Sequence, residues 1–196
     1  MVFELTYFGI AGRAEAIKLI AEVGGTQYTF TPVSFQDWPK VKPTTKYGQL
    51  PVLKNSEDES FELCQSIAIA RFFAREGNLY PTLNVDASFS DEYVNTIKDL
   101  NDAYFKAIFS PNKEEELRKY YEGPFVQTLA ALEKEVKPSG FLVGTALSWA
   151  DLFLFDLLSG VGKDKELPTK LAALKETIAA NPKVIEYYQS DRNLRK

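Results

Sequence analysis

Histidine is absent from this 196-residue sequence. No imidazole can serve as a base, and a transition-metal site loses its commonest ligand, so no metal is expected. The single cysteine, Cys64, cannot close a disulfide within the chain, which fits a reducing compartment. The apolar runs fall far short of a membrane span. The opening residues MVFELTYFGIAGRAEA have no basic stretch followed by a long apolar run and do not read as a secretory signal. A cytoplasmic location without membrane attachment is expected. Charge never clusters: 23 basic and 27 acidic residues leave a net −4. Neither nucleic acid nor an anionic membrane surface is expected as a partner. There is no internal repeat and no low-complexity tract. Any proton chemistry falls to Tyr, Lys, Asp, Glu, Cys or a bound ligand.

What is present is ordinary globular composition, 45% hydrophobic and 26% charged. Phe3 to Tyr7 reads as a short strand. From Arg13, Ile17, Ile20 and Ala21 recur at helical spacing until Gly24-Gly25. Tyr28 to Val33 reads as a second strand, with Pro32 marking a sheet edge or the strand's end. A polar loop runs from Ser34 to Gly48. Two short apolar runs follow, Pro51 to Lys54 and Ser60 to Leu63, joined by a hairpin turn in NSEDE. Gln65 to Glu76 is helical and stops at Gly77. This order gives an α/β domain: a βαβ unit plus a hairpin in one mixed sheet. GNLYPTLNVDASFS lacks periodicity and reads as a linker.

Beyond it only helices are expected. Tyr93, Ile97, Leu100, Tyr104 and Ile108 mark one. Glu114 to Lys134 is another, disturbed near Pro124. Ser148-Trp-Ala-Asp151 is a capping box, and the LFLFDLL run it starts is apolar nearly all round, hence central and buried. Leu171, Leu174 and Ile178 mark a later helix. The expected division is residues 1–77, a linker at 78–87, and an all-helical domain at 88–196.

Several short constellations could carry chemistry, and each has a plainer alternative. A cis peptide before Pro51 in Gly48-Gln49-Leu50-Pro51-Val52 would turn the Leu50 backbone outward to pair with an extended peptide; a simple turn is the alternative. Gln65-Ser66 at a helix start offers free N–H groups and a hydroxyl to an anion, or is an ordinary cap. Trp38 and Lys42 could hold a carboxylate, or cover the sheet and meet solvent. Tyr7 precedes Phe8-Gly9-Ile10-Ala11-Gly12-Arg13. A hydroxyl there could donate to an anion beside a positive charge, where glycines allow close approach. The alternative is a core tyrosine and a surface arginine. The glycines do not form a dinucleotide-binding fingerprint.

The order and spacing of these motifs resemble the glutathione transferase family over essentially the whole chain. LTYFGIAGRAEAIKLI, QDWPKVKPTTKYGQLPVL, CQSIAIARFF and SWADLF resemble its sigma class, which includes the haematopoietic prostaglandin D synthases. The resemblance implies a thioredoxin-like N-terminal domain, an all-α C-terminal domain, a homodimer and glutathione as cosubstrate. It implies that Tyr7 hydrogen-bonds the glutathione sulfur and that Arg13 supports the thiolate. Trp38, Lys42 and Gln49 match groups at the glycyl carboxylate. Leu50, before Pro51, matches the residue pairing with the cysteinyl backbone. Gln65 and Ser66 match the γ-glutamyl carboxylate site, and Asp102 matches a residue reaching the γ-glutamyl amine from the partner subunit. Tyr47 matches an aromatic that inserts into the neighbouring subunit, or is a solvent-exposed loop residue. The electrophile pocket would be lined by Phe8, Ile10, Gly12, Tyr104, Phe109 and Phe153.

The implied activity is conjugation of the glutathione thiolate to apolar electrophiles. A glutathione-dependent prostaglandin D isomerase or peroxidase is the alternative within the family, and a crystallin-like structural protein the alternative outside it. Asn101 and Lys98 stand where acidic residues are usual in the prostaglandin synthases, and Phe109 replaces their tryptophan. These departures argue against a divalent-ion effect and against the isomerase. Cys64, a rival nucleophile, reads as a buried structural thiol at a strand's end.

Overall fold

The computed structural model describes residues 2 to 195, and within it the chain divides into two compact units. The first holds the residues up to Tyr80 together with those from Asn181 onward. The second runs from Pro81 to Ala180.

The first unit is built on a mixed sheet with strand order β2-β1-β3-β4. β1 (Phe3–Phe8) pairs in parallel with β2 (Tyr28–Val33), and α1 (Glu15–Gly24) makes the crossover. α2 (Trp38–Val41) is one short turn. β3 (Val52–Asn55) and β4 (Asp58–Cys64) form the antiparallel hairpin, and α3 (Ser66–Glu76) follows. This is the expected thioredoxin-like arrangement. Pro32 lies on an edge strand, where a missing N–H is tolerated. The hairpin link is shorter than the sequence suggested, only Ser56 and Glu57. Asn55 Oδ1 accepts from Glu57 N at 3.0 Å and Asp58 Oδ1 from Ser60 N at 2.9 Å, so polar side chains close the turn on the backbone.

Side chains alternate along β1, so Phe3, Leu5 and Tyr7 share the buried face. The Phe3 ring meets Phe72 and Phe73 of α3 edge-on at 5.1 and 5.8 Å. Leu5, Ile17, Ile20, Ile69 and Phe73 are fully buried, each stabilising the fold by about 1.5–3 kcal/mol. Gly24 and Gly77, read from sequence as helix stops, also touch: a Cβ on Gly77 would lie 2.5 Å from the Gly24 Cα.

The second unit is helical. α4 (Asn84–Ile108) starts inside the segment expected to be the linker. Its first turn shows no periodicity because Val85 points outward, 65% exposed. α5 (Lys113–Tyr120) passes through a π-helical turn, Tyr121–Phe125, into α6 (Val126–Glu135). The expected disturbance at Pro124 is this turn, whose wider spacing absorbs the missing N–H and the ring. α7 (Trp149–Ser159) begins with the expected capping box and is buried from Trp149 to Leu158. α8 (Thr169–Ala179) completes the unit.

α9 (Pro182–Gln189) follows α8. The residues from Asn181 on, read from sequence as part of the helical domain, group by contact with the sheet. Asn181 caps α9, accepting from Lys183 N at 3.0 Å, with Pro182 at the first helical position. The reason for the grouping lies in side-chain contacts with α1 that no local pattern announces. Among the described residues, no helix is long and apolar enough to cross a membrane.

Candidate functional site

Tyr7 is buried near the end of β1. Its Oη accepts a hydrogen bond from the Arg13 backbone N–H at 3.1 Å. The loop can close over the ring because residue 12 is glycine: φ is +42°, and a Cβ would lie 2.7 Å from Tyr7 Oη. The sequence pointed to a ligand as the group these glycines admit. At Gly12 the group admitted is the tyrosine itself. Accepting from Arg13 engages an oxygen lone pair and leaves the hydroxyl proton available for donation. Burial pushes the Tyr7 pKa up, while the Arg13 amide and guanidinium pull against it; the net direction is upward. At neutral pH the phenol is a donor, not a base.

Phe8, next along the strand, faces the other way. Its ring stacks on Phe35 at 4.8 Å and meets Trp38 edge-on at 5.4 Å, tying the end of β1 to α2. Ser34 and Asp37 fix the entry to α2: Ser34 Oγ donates to Asp37 Oδ2 at 2.6 Å and accepts from Asp37 N at 3.0 Å. The S-x-x-D spacing was present in the sequence and could have revealed this turn. Phe35 had no such signal. The Lys42 N–H donates to the Trp38 carbonyl, and the Lys42 stem runs beside Gly48, next to the exposed Gln49.

The Leu50–Pro51 peptide is cis. Thr6 pairs with Val52, and Val52 with Cys64. Tyr7, Pro51 and Gln65 each lie one residue beyond these pairs. Gln65 has φ +76° and ψ 118°, a conformation costing a non-glycine residue about 1–3 kcal/mol and enriched at functional sites. It caps the N-terminus of α3, where Ser66 begins the turn with unsatisfied N–H groups and the positive dipole end. Cys64, immediately before, is buried, and burial first and Glu62 next push its thiol pKa up.

In the second unit, Asp102 lies on α4 with its carboxylate 2.8 Å from Lys98 Nζ. Tyr104 packs its ring against Tyr120 at 5.6 Å. Phe109 is 81% exposed at the end of α4, and Phe153 is buried in α7. In the first unit, Ile10 is exposed on the loop after β1. Among the described residues, no three His, Cys, Asp or Glu side chains gather as a metal could require.

Comparison with known proteins places these features. Residues 3–75 match the glutathione S-transferase N-terminal domain, and residues 98–191 the C-terminal domain. The class-mu 28 kDa glutathione S-transferase of Schistosoma japonicum is 30% identical over 196 residues, covering 94% of this chain and 95% of that protein. The chain belongs to the glutathione S-transferase family. The hematopoietic prostaglandin D synthase of Gallus gallus is also 30% identical, with 95% of each chain covered. Monomeric Na-GST-3, a glutathione S-transferase of the hookworm Necator americanus, superposes with a TM-score of 0.90 at 25% identity over the full length of both chains.

In the first unit of this glutathione S-transferase, Tyr7 meets the Arg13 amide, Lys42 meets the Trp38 carbonyl and runs beside Gly48, and Gln65 precedes α3. Two of the expected pocket residues are already engaged within that unit, Phe8 with Phe35 and Trp38, and Gly12 with Tyr7.

Proposed function

We propose that this glutathione S-transferase conjugates the glutathione thiolate to apolar electrophiles, with the Tyr7 hydroxyl stabilising the sulfur. The observation that carries the reading is the Tyr7–Arg13 arrangement: the oxygen accepts from a backbone amide while the proton stays available. The physical need matches. A free thiol with a pKa near 8.5 is roughly 3% thiolate at neutral pH. Lowering it to about 6.5 makes most of it thiolate and requires about 2.7 kcal/mol. A hydrogen bond to a charged partner supplies roughly 1.5–3 kcal/mol, and Arg13 adds positive charge. The thiol proton leaves to solvent, the sulfur forms a bond to the electrophilic carbon, and that carbon expels its leaving group or passes charge to a protonated neighbour.

The tripeptide also carries two carboxylates. Trp38, Lys42 and Gln49 suit the glycyl end, the Leu50 backbone beside Pro51 the cysteinyl peptide, and Gln65 with Ser66 the γ-glutamyl carboxylate. The strained Gln65 backbone supports this assignment. In the first unit, apolar Phe8 and exposed Ile10 suit an electrophile beside the thiolate. The sigma-class motifs, with the Gallus gallus relative, support a sigma-like assignment, and the lone reduced cysteine supports a cytoplasmic location. The decisive measurement is initial-rate conjugation of glutathione to a chloro-dinitrobenzene, with wild type and Tyr7→Phe side by side. Conjugation that collapses in the variant supports the reading. Equal rates and an equal bound-thiol pKa sink it.

A homodimer in which Asp102 approaches the partner's γ-glutamyl amine is the assembly we propose, supported by the sequence motifs and the exposed Tyr47. A monomer is the second reading, favoured by the Lys98–Asp102 ion pair, which already occupies that carboxylate, and by the monomeric hookworm relative. Sedimentation equilibrium decides between them: a species of one chain's mass at micromolar concentration removes the dimer.

A further inference from the structure

The residues after Asn181 return to the first unit and bind α1 along its length. At its start, Glu15 is fully buried, and Tyr187 Oη donates to Glu15 Oε1 at 2.6 Å. Lys18, also fully buried, lies 3.4 Å from Glu15 Oε2 and donates to the Arg192 carbonyl. Its ammonium sits over the Phe30 and Tyr187 rings at 4.8 and 5.6 Å. Farther along, the Arg192 guanidinium grips Glu22 with two bonds of 2.7 and 3.0 Å. At the end, Lys183 Nζ donates to the Val23 carbonyl at 2.7 Å.

A buried ion pair is weak evidence for stability, because desolvating two charges offsets their attraction. Apolar residues of similar size would hold α9 at least as well. What charge and hydrogen bonding add here is a fixed geometry at one place. Glu15 is the first residue of α1, two residues after Arg13, whose amide donates to Tyr7 Oη. The loop from Gly9 to Ala14 has Tyr7 near one end and Glu15 at the other. The Tyr187 hydroxyl fixes the second end, and a sub-ångström drift there would lengthen the Arg13–Tyr7 bond.

We propose that the C-terminal segment, through Tyr187 on Glu15 and Lys18 on the Arg192 carbonyl, positions the Arg13 amide on Tyr7 and so tunes thiol activation from the far end of the chain. Tyr187 is a positioning residue, not a catalytic one. The inference rests on the Tyr7 reading for its effect on the thiol, but not for its effect on the loop.

The test is Tyr187→Phe, which removes only the hydroxyl. Two quantities are read: amide hydrogen exchange at Arg13, and the pKa of bound glutathione from its thiolate absorbance. Exchange at Arg13 is expected to quicken by about ten-fold or more, with the bound-thiol pKa rising by about half a unit. Lys119→Ala, which loses an exposed ion pair with Glu115 in the second unit, should leave both readouts near wild type. A lowered melting temperature with unchanged Arg13 exchange would overturn the proposal, since that is what mere packing predicts. If Arg13 exchange quickens but wild-type glutathione shows no lowered pKa, the positioning stands and the Tyr7 reading fails. Should Tyr187→Phe not fold, native-state exchange on the wild-type chain decides. Arg13 and the α9 amides should then share one denaturant dependence, and independent opening of Arg13 would refute the link.

Discussion

The two units bury acidic groups by opposite means. In the first, Glu15 is paired with an ammonium and a phenol that arrive from different elements, one of them at the far end of the chain. In the second, Asp151 has no cation among the described residues. It accepts from Leu142 N at 2.8 Å, from Ser148 N at 2.8 Å and from Ser148 Oγ at 2.7 Å. Burial pushes the Asp151 pKa up, and these bonds work against it. The local carboxylate is an anchor for one helix start and one loop. The paired carboxylate links distant segments beside the candidate site. Charge shared between distant segments is sensitive to their separation, whereas a capping box depends on a single turn of backbone.

The comparison can be broken most directly at Glu15. Glu15→Ala strands the Lys18 ammonium in the interior and is expected to cost about 3–5 kcal/mol in denaturant unfolding. Asp151→Ala removes the box and orphans two amides, at a cost of about 2–4 kcal/mol. If Asp151→Ala disturbed bound-thiol chemistry as much as Glu15→Gln does, the contrast between the units would be wrong. Tyr7→Phe sharpens it from the other side: the conjugation barrier should rise by about 2–3 kcal/mol, on the scale of an oxyanion donor, with little change in glutathione affinity.

The pH dependence follows from Tyr7. Its pKa is raised, so the phenol stays protonated well past neutrality. The second-order conjugation rate should climb through the bound-thiol pKa and show no inflection from Tyr7 below about pH 10. A falling limb near pH 8 would mean that Tyr7 titrates. The smallest effect is expected in the second unit. Tyr120 Oη is buried with no hydrogen-bond partner among the described residues. Tyr120→Phe removes an unsatisfied group and should leave melting unchanged or raise stability by up to about 1 kcal/mol.

Local pattern carried much of this. The run Phe3 to Tyr7 gave β1, and Pro124 gave the break before α6. The S-x-x-D spacing at Ser148 gave a buried helix start. Each is a contact within a few residues, so the spacing of residue types is enough. The start of α4 was not legible, because outward-facing Val85 hides the period of a helix end that packs on little. Phe35 against Phe8 was not legible either, since aromatic contact across a loop leaves no periodic trace.

By itself the sequence determined the residue types that make thiol chemistry feasible without histidine: a tyrosine at a strand's end, an arginine six residues on, and a glycine between them. It also determined the element order that puts Tyr7, Pro51 and Gln65 at or next to strand ends. Only the tertiary structure decided what Gly12 is for and where the C-terminal segment lies. Both depend on atoms far apart along the chain or on distances finer than residue type conveys. The space a Cβ would fill is visible only once the Tyr7 ring is placed, and Glu15 meets Tyr187 only because folding brings residues 172 positions apart within hydrogen-bond reach.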